Sequence, residues 1–273
     1  MNGFRLLKKA FYEKRWVSRL FFFTLLLIVW EAVAAFSGIS PLLLPPVEQV
    51  AAAFWKGMVS GTLFLQTVFS LAVIALGFCL SMILALVLAV ASRLSPFMER
   101  MADTLTAMAH PLPGMALLPL IVIWFGTGTP AVTIVIVHAC LWSMLLSLLS
   151  GMQSTPALYT DLGRSYSMGR LRIILEILLP ASMAHLLAGL RVGWARAWRA
   201  LISAEMIFGA IGATGGLGWY IFKERTMMHT AGLFAGIVLV AVIGMLVEEL
   251  VFEKLEKSTL RKWSVGAQKE KAS

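Results

Sequence analysis

Four side chains that carry a charge at pH 7 lie within one long apolar stretch, residues 178–206. They are Arg191, Arg196, Arg199 and Glu205. A guanidinium group binds sulfonate, nitrate or carboxylate oxygens well, because its planar donors can pair with two oxygens at once. One interpretation is therefore that some of these arginines attract an anion. The alternative is that they pair with Glu205, Glu31 or helix carbonyl groups, or that those near the helix ends extend toward water.

Helical geometry separates these four side chains around the axis. At about 100° per residue, Arg199 lies about 80° from Arg191, and Arg196 lies about 140° from it. Glu205 lies about 40° from Arg191 on the other side. One narrow stripe cannot contain all four groups, and a charge in an apolar helix is costly unless it is paired or hydrated. We therefore expect the four residues to face the interior of a helical bundle from different sides.

Another unusual segment, residues 161–180, is polar and lies between two apolar stretches. Its sequence is DLGRSYSMGRLRIILEILLP. It is too polar to cross a membrane, and its pattern predicts a short helix, a tight turn and a second short helix. Such a unit is compact enough for a soluble partner to bind, and Pro180 separates it from the following span. Its arginines could pair with acidic groups of that partner or could only orient the chain in the membrane.

The remaining reactive residue types do not form a catalytic or metal-binding pattern. No two of the four histidines stand four residues apart, and Cys79 and Cys140 fall within apolar runs. We therefore predict no metal site and no disulfide. The sequence has no phosphate-binding Gly-rich Lys loop, so we do not expect this chain to hydrolyse ATP. We also find no convergent acid or base cluster, and we predict that the chain is not an enzyme.

The elements that position these residues are membrane helices. Hydrophobic residues make up 59% of the chain and charged residues 14%, and the mean hydropathy is +0.86. This composition excludes an ordinary soluble domain. A bilayer requires about 20 apolar residues per span, so the 273 residues allow about six spans in one membrane domain, residues 1–273. The net charge of +9 does not indicate nucleic acid, because membrane proteins collect Lys and Arg in cytoplasmic loops.

The apolar runs predict six transmembrane helices. They cover residues 17–36, 63–90, 101–125, 130–150, 178–206 and 231–251. Most Lys and Arg residues fall in four segments outside these runs. Those segments are 1–19, 92–100, 153–177 and 252–273. The positive-inside rule places them in the cytoplasm, together with both termini.

Two regions depart from simple spans. Pro111 and Pro113 remove backbone donors from the third run, so we expect a helix break near Pro111 that faces protein or a wet cavity. The segment before the second run predicts a short helix over residues 47–59 on the outer surface.

No inverted repeat links the first three spans to the last three. This absence disfavours a secondary transporter, whose two halves often contain corresponding broken helices.

The polar segment resembles the EAA loop of ABC importer permeases. That pattern has Glu-Ala-Ala, three residues, Gly, nine residues, Ile, one residue and Leu-Pro. Three residues match it and one is similar. The matches are Ile177, Leu179 and Pro180, and Asp161 replaces Glu. Leu162 and Gly163 replace the two alanines and Ser167 replaces the glycine, so Gly169 is expected to supply the flexible turn.

This resemblance implies that the segment, here called the coupling loop (about residues 153–177), contacts an ATPase subunit. Residues 165–171 are expected at the centre of the contact. The residues implied in coupling are Asp161, Gly163, Arg164, Ser165, Ser167, Met168, Gly169, Ile177, Leu179 and Pro180.

Further segments resemble the nitrate, sulfonate and taurine importer permeases over nearly the whole chain. They are LLPPVEQV (43–50), LLPLIVIWFGTG (117–128), AGLRVGWARAW (188–198) and the terminal RKW (261–263). The resemblance implies an all-α membrane protein with the type I ABC importer permease (MetI-like) fold, five core helices and one peripheral helix. It also implies a multi-pass location in a bacterial plasma (inner) membrane.

The resemblance also implies partners and a function. Two copies of the permease would work with two cytoplasmic ATP-binding subunits, which hold ATP and Mg, and with an extracytoplasmic substrate-binding protein. No cofactor is expected in this chain. The expected function is the transmembrane permease subunit of an ATP-driven importer, for a small anion such as a sulfonate, taurine or nitrate. Two alternatives are a permease for a neutral or cationic vitamin precursor, of thiamine-precursor pyrimidine or riboflavin type, and a secondary transporter. Within the fifth span, the candidate pathway residues are Arg191, Arg196, Arg199 and Glu205.

Overall fold

A computed structural model describes residues 15–209 and 215–256, and within these ranges the chain is helical and contains no strand. The helices in chain order are α1 (Arg15–Phe36), α2 (Val47–Val59), α3 (Thr62–Leu94), α4 (Pro96–Ala109), α5 (Leu118–Phe125), α6 (Thr129–Gln153), α7 (Ala157–Ser165), α8 (Arg170–Ala181), α9 (Met183–Phe208), α10 (Leu217–Thr226) and α11 (Thr230–Glu256). A 3₁₀ turn, Gly114–Leu117, precedes α5, and π-helical turns occur within α8 and α11. The terminal RKW at 261–263 lies outside the described residues.

Three helices in the described part are long and apolar enough to cross a membrane alone: α3, α6 and α11. Two bent pairs can each form one further span. In the first pair, α4 and Gly114–Phe125 meet at 91°, and in the second, α8 and α9 meet at 66°. The apolar part of α1 is shorter, covering Phe21–Phe36. The described residues therefore contain three to five spans by length and composition. The prediction of six spans, the cytoplasmic termini and the single permease domain stay predictions.

The chain divides into two compact units. The smaller unit contains the described residues up to Leu63 together with Ile221–Ile237. In it, the Trp30 indole N–H donates to the carbonyl of Pro45 at 3.0 Å. The Val47 N–H donates to Glu31 Oε2 at 2.9 Å, which places a carboxylate at the start of α2. The predicted helix over 47–59 is confirmed, and Glu31 pairs with backbone rather than with an arginine.

The larger unit contains Phe64–Tyr220 and the residues from Val238 onward. Its most extensive helix packing joins α6 to α9. A Cβ at Gly189 would lie 2.6 Å from Ser147 Cβ, and one at Gly193 would lie 3.1 Å from Met144 Cε. Such small residues let the backbones of two membrane helices approach closely. The face of α9 that contains Gly189 and Gly193 therefore packs against α6.

The predicted break in the third run is confirmed. Helix α4 ends at Ala109, and residues 110–113 separate it from the 3₁₀ turn. Two prolines within four residues remove backbone donors and disfavour continued helix around each ring. The 3₁₀ turn packs against α6 and α9, and a Cβ at Gly114 would lie 3.5 Å from Val135 Cγ1. The turn that follows the break therefore faces neighbouring helices, whereas residues 111–113 of the break itself are exposed. The prediction that the break faces protein is confirmed only for this turn.

Candidate coupling and translocation sites

The coupling loop forms the predicted helix, turn and helix. Helix α7 begins directly after Pro156 and ends at Ser165, and α8 begins at Arg170. The turn between them closes by two backbone hydrogen bonds. The Met168 N–H donates to Gly163 O at 3.0 Å, and the Ser167 N–H donates to Arg164 O at 2.8 Å. This pair of bonds is the Schellman motif, which normally requires a left-handed residue just after the helix.

Ser167 is that left-handed residue, with a φ of 56°. Gly169 has a φ of −66° and only precedes the second helix. The prediction that Gly169 supplies the turn is therefore wrong. The turn stays at the position where the EAA pattern has Gly, and the serine there adopts a conformation that glycine adopts more easily.

Gly163 allows the two short helices to close on each other. A Cβ at this position would lie 2.9 Å from Ile177 Cδ1 and 3.2 Å from Ile173 Cγ1. This Cβ would also lie 3.5 Å from Met168 Sδ. Gly163, Met168 and Ile177 are thus packing residues inside the coupling loop, and α8 continues through Leu179 and Pro180 to its end at Ala181.

The outer surface of the coupling loop is partly apolar. Its exposed large apolar and aromatic side chains are Leu158, Tyr159, Leu162, Tyr166, Leu171 and Leu175. A cluster of this kind on a polar loop is typical of a protein-binding surface. The sequence reading concentrated on the arginines and missed the two tyrosines. Their position beside the EAA-like residues was the available signal.

Several charged residues of the coupling loop have partners within the chain. Asp161 and Arg164 form an exposed ion pair at 3.2 Å, and Arg172 and Glu176 form one at 2.9 Å. Arg170 donates to the carbonyl of Leu94 at 3.4 Å. Exposed ion pairs are weak and exchange readily with a partner's charges. They leave the arginines accessible for docking.

Glu205 is fully buried and holds the start of α10. Its carboxylate lies 2.7 and 2.9 Å from the Ser70 hydroxyl and accepts the Gly218 N–H at 2.8 Å. The Ser70 oxygen in turn accepts the Leu217 N–H at 2.9 Å. A carboxylate at a helix N-terminus is favourable because it meets unpaired N–H groups and the positive end of the helix dipole. Glu205 is therefore separated from the arginines with which it was grouped.

Arg191 forms an ion pair with the last helix. Its Nε and Nη2 atoms lie 3.0 and 2.7 Å from Glu248 Oε1, and Nη1 lies 3.7 Å from Glu256 Oε2. About half of the Arg191 and Glu248 side-chain surfaces is exposed. The alternative that the arginines pair with Glu205 or Glu31 is wrong for Arg191, whose acidic partners come from α11.

Arg196 and Arg199 have uncharged partners. Arg196 Nη1 lies 2.9 Å from His110 Nε2, at the break between α4 and the 3₁₀ turn. Arg199 is exposed, and its Nε donates to the carbonyl of Ala195 one turn earlier at 3.1 Å. The four candidate residues therefore occupy four separate surroundings. Over residues 15–209 and 215–256, no three His, Cys, Asp or Glu residues are grouped so as to hold a metal ion.

Comparison with known proteins identifies relatives among membrane transport permeases. Residues 77–259 match the family described as binding-protein-dependent transport system inner membrane component. The chain is 32% identical over 228 residues to the taurine transport system permease protein TauC of Escherichia coli (strain K12), covering 82% of each chain. It is 26% identical over 248 residues to the putative aliphatic sulfonates transport permease protein SsuC of Bacillus subtilis (strain 168), covering 91% of this chain and 88% of that one.

A solved structure shows a similar fold. An inward-facing structure of the MetNI methionine ABC transporter contains a chain that aligns with a TM-score of 0.56 and 14% identity, covering 72% of this chain and 96% of that one. This likeness confirms the MetI-like permease fold. The family match over residues 77–259 and the 32% identity to the taurine permease show that the chain belongs to the binding-protein-dependent inner membrane components, the permease subunits of ABC importers.

Proposed function

We propose that this permease imports a sulfonate such as taurine, with nitrate as the second candidate, and that cytoplasmic ATPase subunits drive it through the coupling loop. The observation that carries the coupling proposal is the compact helix, turn and helix with an exposed apolar face. The substrate proposal rests on similarity over most of the chain to permeases named for taurine and for aliphatic sulfonates. A nitrate import permease, NrtB of Leptolyngbya laminosa, is 28% identical over 201 residues, covering 72% of this chain and 70% of that one.

The coupling proposal has a simple energetic basis. ATP can change the arrangement of the membrane helices only if its binding favours one arrangement over another. The coupling loop supplies a rigid surface for that purpose, because Gly163 lets Ile173 and Ile177 of α8 pack closely on α7. Movement of a docked ATPase subunit would therefore reach α8 and then α9.

The assembly we propose contains two copies of this chain about a two-fold axis, two ATPase subunits and an extracytoplasmic binding protein. Closed two-fold symmetry is the commonest arrangement for two identical subunits. Several helices of the larger unit expose large apolar side chains in the single chain. Examples from α3 are Leu76, Ile83 and Val87. Lipid and the second copy are the surfaces available to cover them.

The test is uptake by the complete complex in sealed vesicles. The chain is purified with its ATPase, reconstituted, and supplied with its binding protein and ATP. Taurine, an alkanesulfonate, nitrate and a thiamine-precursor pyrimidine are then compared. We expect ATP-dependent uptake of the two sulfonates. Selective uptake of the pyrimidine would contradict the anion proposal, and uptake driven by an ion gradient without any ATPase would contradict the coupling proposal.

A further inference from the structure

Arg196 lies close to the middle of α9. It is about 20 Å from the first residue of the helix and about 18 Å from the last, at 1.5 Å per residue. Its side chain is half-buried. An ionisable group at such depth is rare and calls for a specific explanation, because the apolar surroundings penalise the charge. The partners of Arg196 therefore matter more than those of the arginines nearer the helix ends.

The partner that the structure gives to Arg196 does not neutralise it. A guanidinium group has donors and no acceptor, so His110 Nε2 must accept the hydrogen bond at 2.9 Å. The imidazole is then neutral and carries its proton on Nδ1. It orients the guanidinium and leaves its positive charge in place. Arg191 differs, because Glu248 and Glu256 balance its charge.

One side of this pair is open in the single chain. His110 is the first residue of the break, and the next three residues, Pro111, Leu112 and Pro113, are exposed. Non-helical backbone at membrane depth is tolerated where protein or a water-filled cavity receives it. Within the described residues, no carboxylate lies within ion-pair distance of Arg196.

A third polar group supports a ligand at this face. Thr106 lies one helical turn before His110 and therefore on the same face of α4. It is only 4% exposed, and its hydroxyl has no hydrogen-bond partner among the described residues. A buried hydroxyl without a partner is costly, so a group that accepts a hydrogen bond from it is favoured there.

We infer that Arg196 binds the sulfonate group of the transported substrate at the α4 break, and that His110 is a positioning residue for its guanidinium. This inference deepens the proposed function and rests on it. A sulfonate presents three oxygens and one negative charge. Two of the oxygens can accept parallel hydrogen bonds from the guanidinium, and the charge is balanced without a carboxylate. The competing explanation is that Arg196 only ties α9 to the break.

The test compares variants of the reconstituted complex supplied with saturating sulfonate-loaded binding protein. Under these conditions the binding protein no longer limits uptake, and the readout is sulfonate transported per ATP hydrolysed. We expect Arg196→Gln to lower this ratio about ten-fold, the effect of losing one charged hydrogen bond. Arg196→Lys keeps the charge but loses the planar donors, so an intermediate ratio is expected. His110→Gln can still accept the hydrogen bond and should retain more of the ratio than His110→Leu.

Arg199→Gln is the matched control, because it removes the same charge one turn further along α9. Equal losses in Arg196→Gln and Arg199→Gln would attribute the effect to the net charge of the helix and overturn the site. A parent-level ratio in Arg196→Gln, or uptake and hydrolysis falling in equal proportion, would also overturn it. If Arg196→Gln fails to assemble, unchanged ratios in both Arg196→Lys and His110→Leu would decide against the proposal. A parent complex that transports no sulfonate would contradict the proposed function itself.

Discussion

The two bent helix pairs of this permease differ in how the bend is surrounded. The bend between α4 and the 3₁₀ turn spans four residues, three of them exposed. The bend between α8 and α9 occurs at one residue, Ser182, which is fully buried. Both bends follow from nearby prolines, but only the second is enclosed by packing. The bend at Ser182 is therefore called the closed joint, and the bend at residues 110–113 is called the open break.

The closed joint depends on a close approach to α6. A Cβ at Gly151 would lie 2.7 Å from Ser182 Cβ and 2.8 Å from His185 Cβ. The Ser182 hydroxyl donates to Leu179 O at 2.8 Å, and the Ser182 backbone N–H donates to the same carbonyl at 3.2 Å. A joint packed in this way transmits the displacement of the coupling loop with little internal movement. The open break, with Arg196 beside it, is better suited to meet a substrate.

The largest effect is expected from Gly151→Leu, which would break the closed joint. The new side chain would overlap Ser182 and His185, and overpacking of this kind typically costs about 1–3 kcal/mol or more. We expect a lower thermal unfolding temperature of the purified permease and a smaller amount of ATPase bound to it. Both are measured after detergent extraction.

Gly169→Ala is the control for that change. A Cβ at Gly169 would meet nothing within 4 Å, and its φ is ordinary. Its effect on the free energy of unfolding should stay within about 1 kcal/mol. Equal destabilisation by Gly151→Leu and Gly169→Ala would show that the joint is not tightly packed, and the contrast between the two bends would be lost.

A smaller effect is expected at the turn of the coupling loop. Ser167→Val places a β-branched residue at a φ of 56°, which costs about 1–2 kcal/mol. Ser167→Gly removes the strain of the serine. We expect several-fold less uptake per ATP hydrolysed in the valine variant and parent-level or higher coupling in the glycine variant. Parent-level coupling with valine would mean that the turn need not hold its shape for the ATPase to act.

Local rules predicted much of this fold. The break near Pro111, the helix over 47–59 and the helix, turn and helix of the coupling loop follow from proline geometry and short-range patterns. The position of the turn was predicted wrongly, because the general preference for glycine favoured Gly169 over Ser167. The hydrogen-bond closure at Gly163 and Arg164 decides the turn, and that closure depends on where α7 ends.

The partners of the ionisable residues could not be predicted in the same way. Ser70 meets Glu205 across 135 positions, and His110 meets Arg196 across 86. Such pairs depend on which helix faces pack together, and the period of one helix carries no information about its neighbours. The sequence identified α9 as the helix with unusual chemistry. The packing then distinguished the half-buried Arg196 from Glu205, which caps a helix.

The smallest effect is expected from Arg191→Gln, which sharpens the contrast between Arg191 and Arg196 on one helix. The Arg191 and Glu248 side chains are each about half exposed, and an ion pair of this kind contributes about 0–1 kcal/mol. We expect the free energy of unfolding to fall by no more than that, and by less at high salt, because salt screens exposed charges. A double-mutant cycle with Glu248→Gln measures the coupling between the two residues by chemical denaturation. If Arg191→Gln instead lowers uptake per ATP as strongly as Arg196→Gln, the ion pair to α11 is functional, and the open break is not the distinguishing feature of this helix.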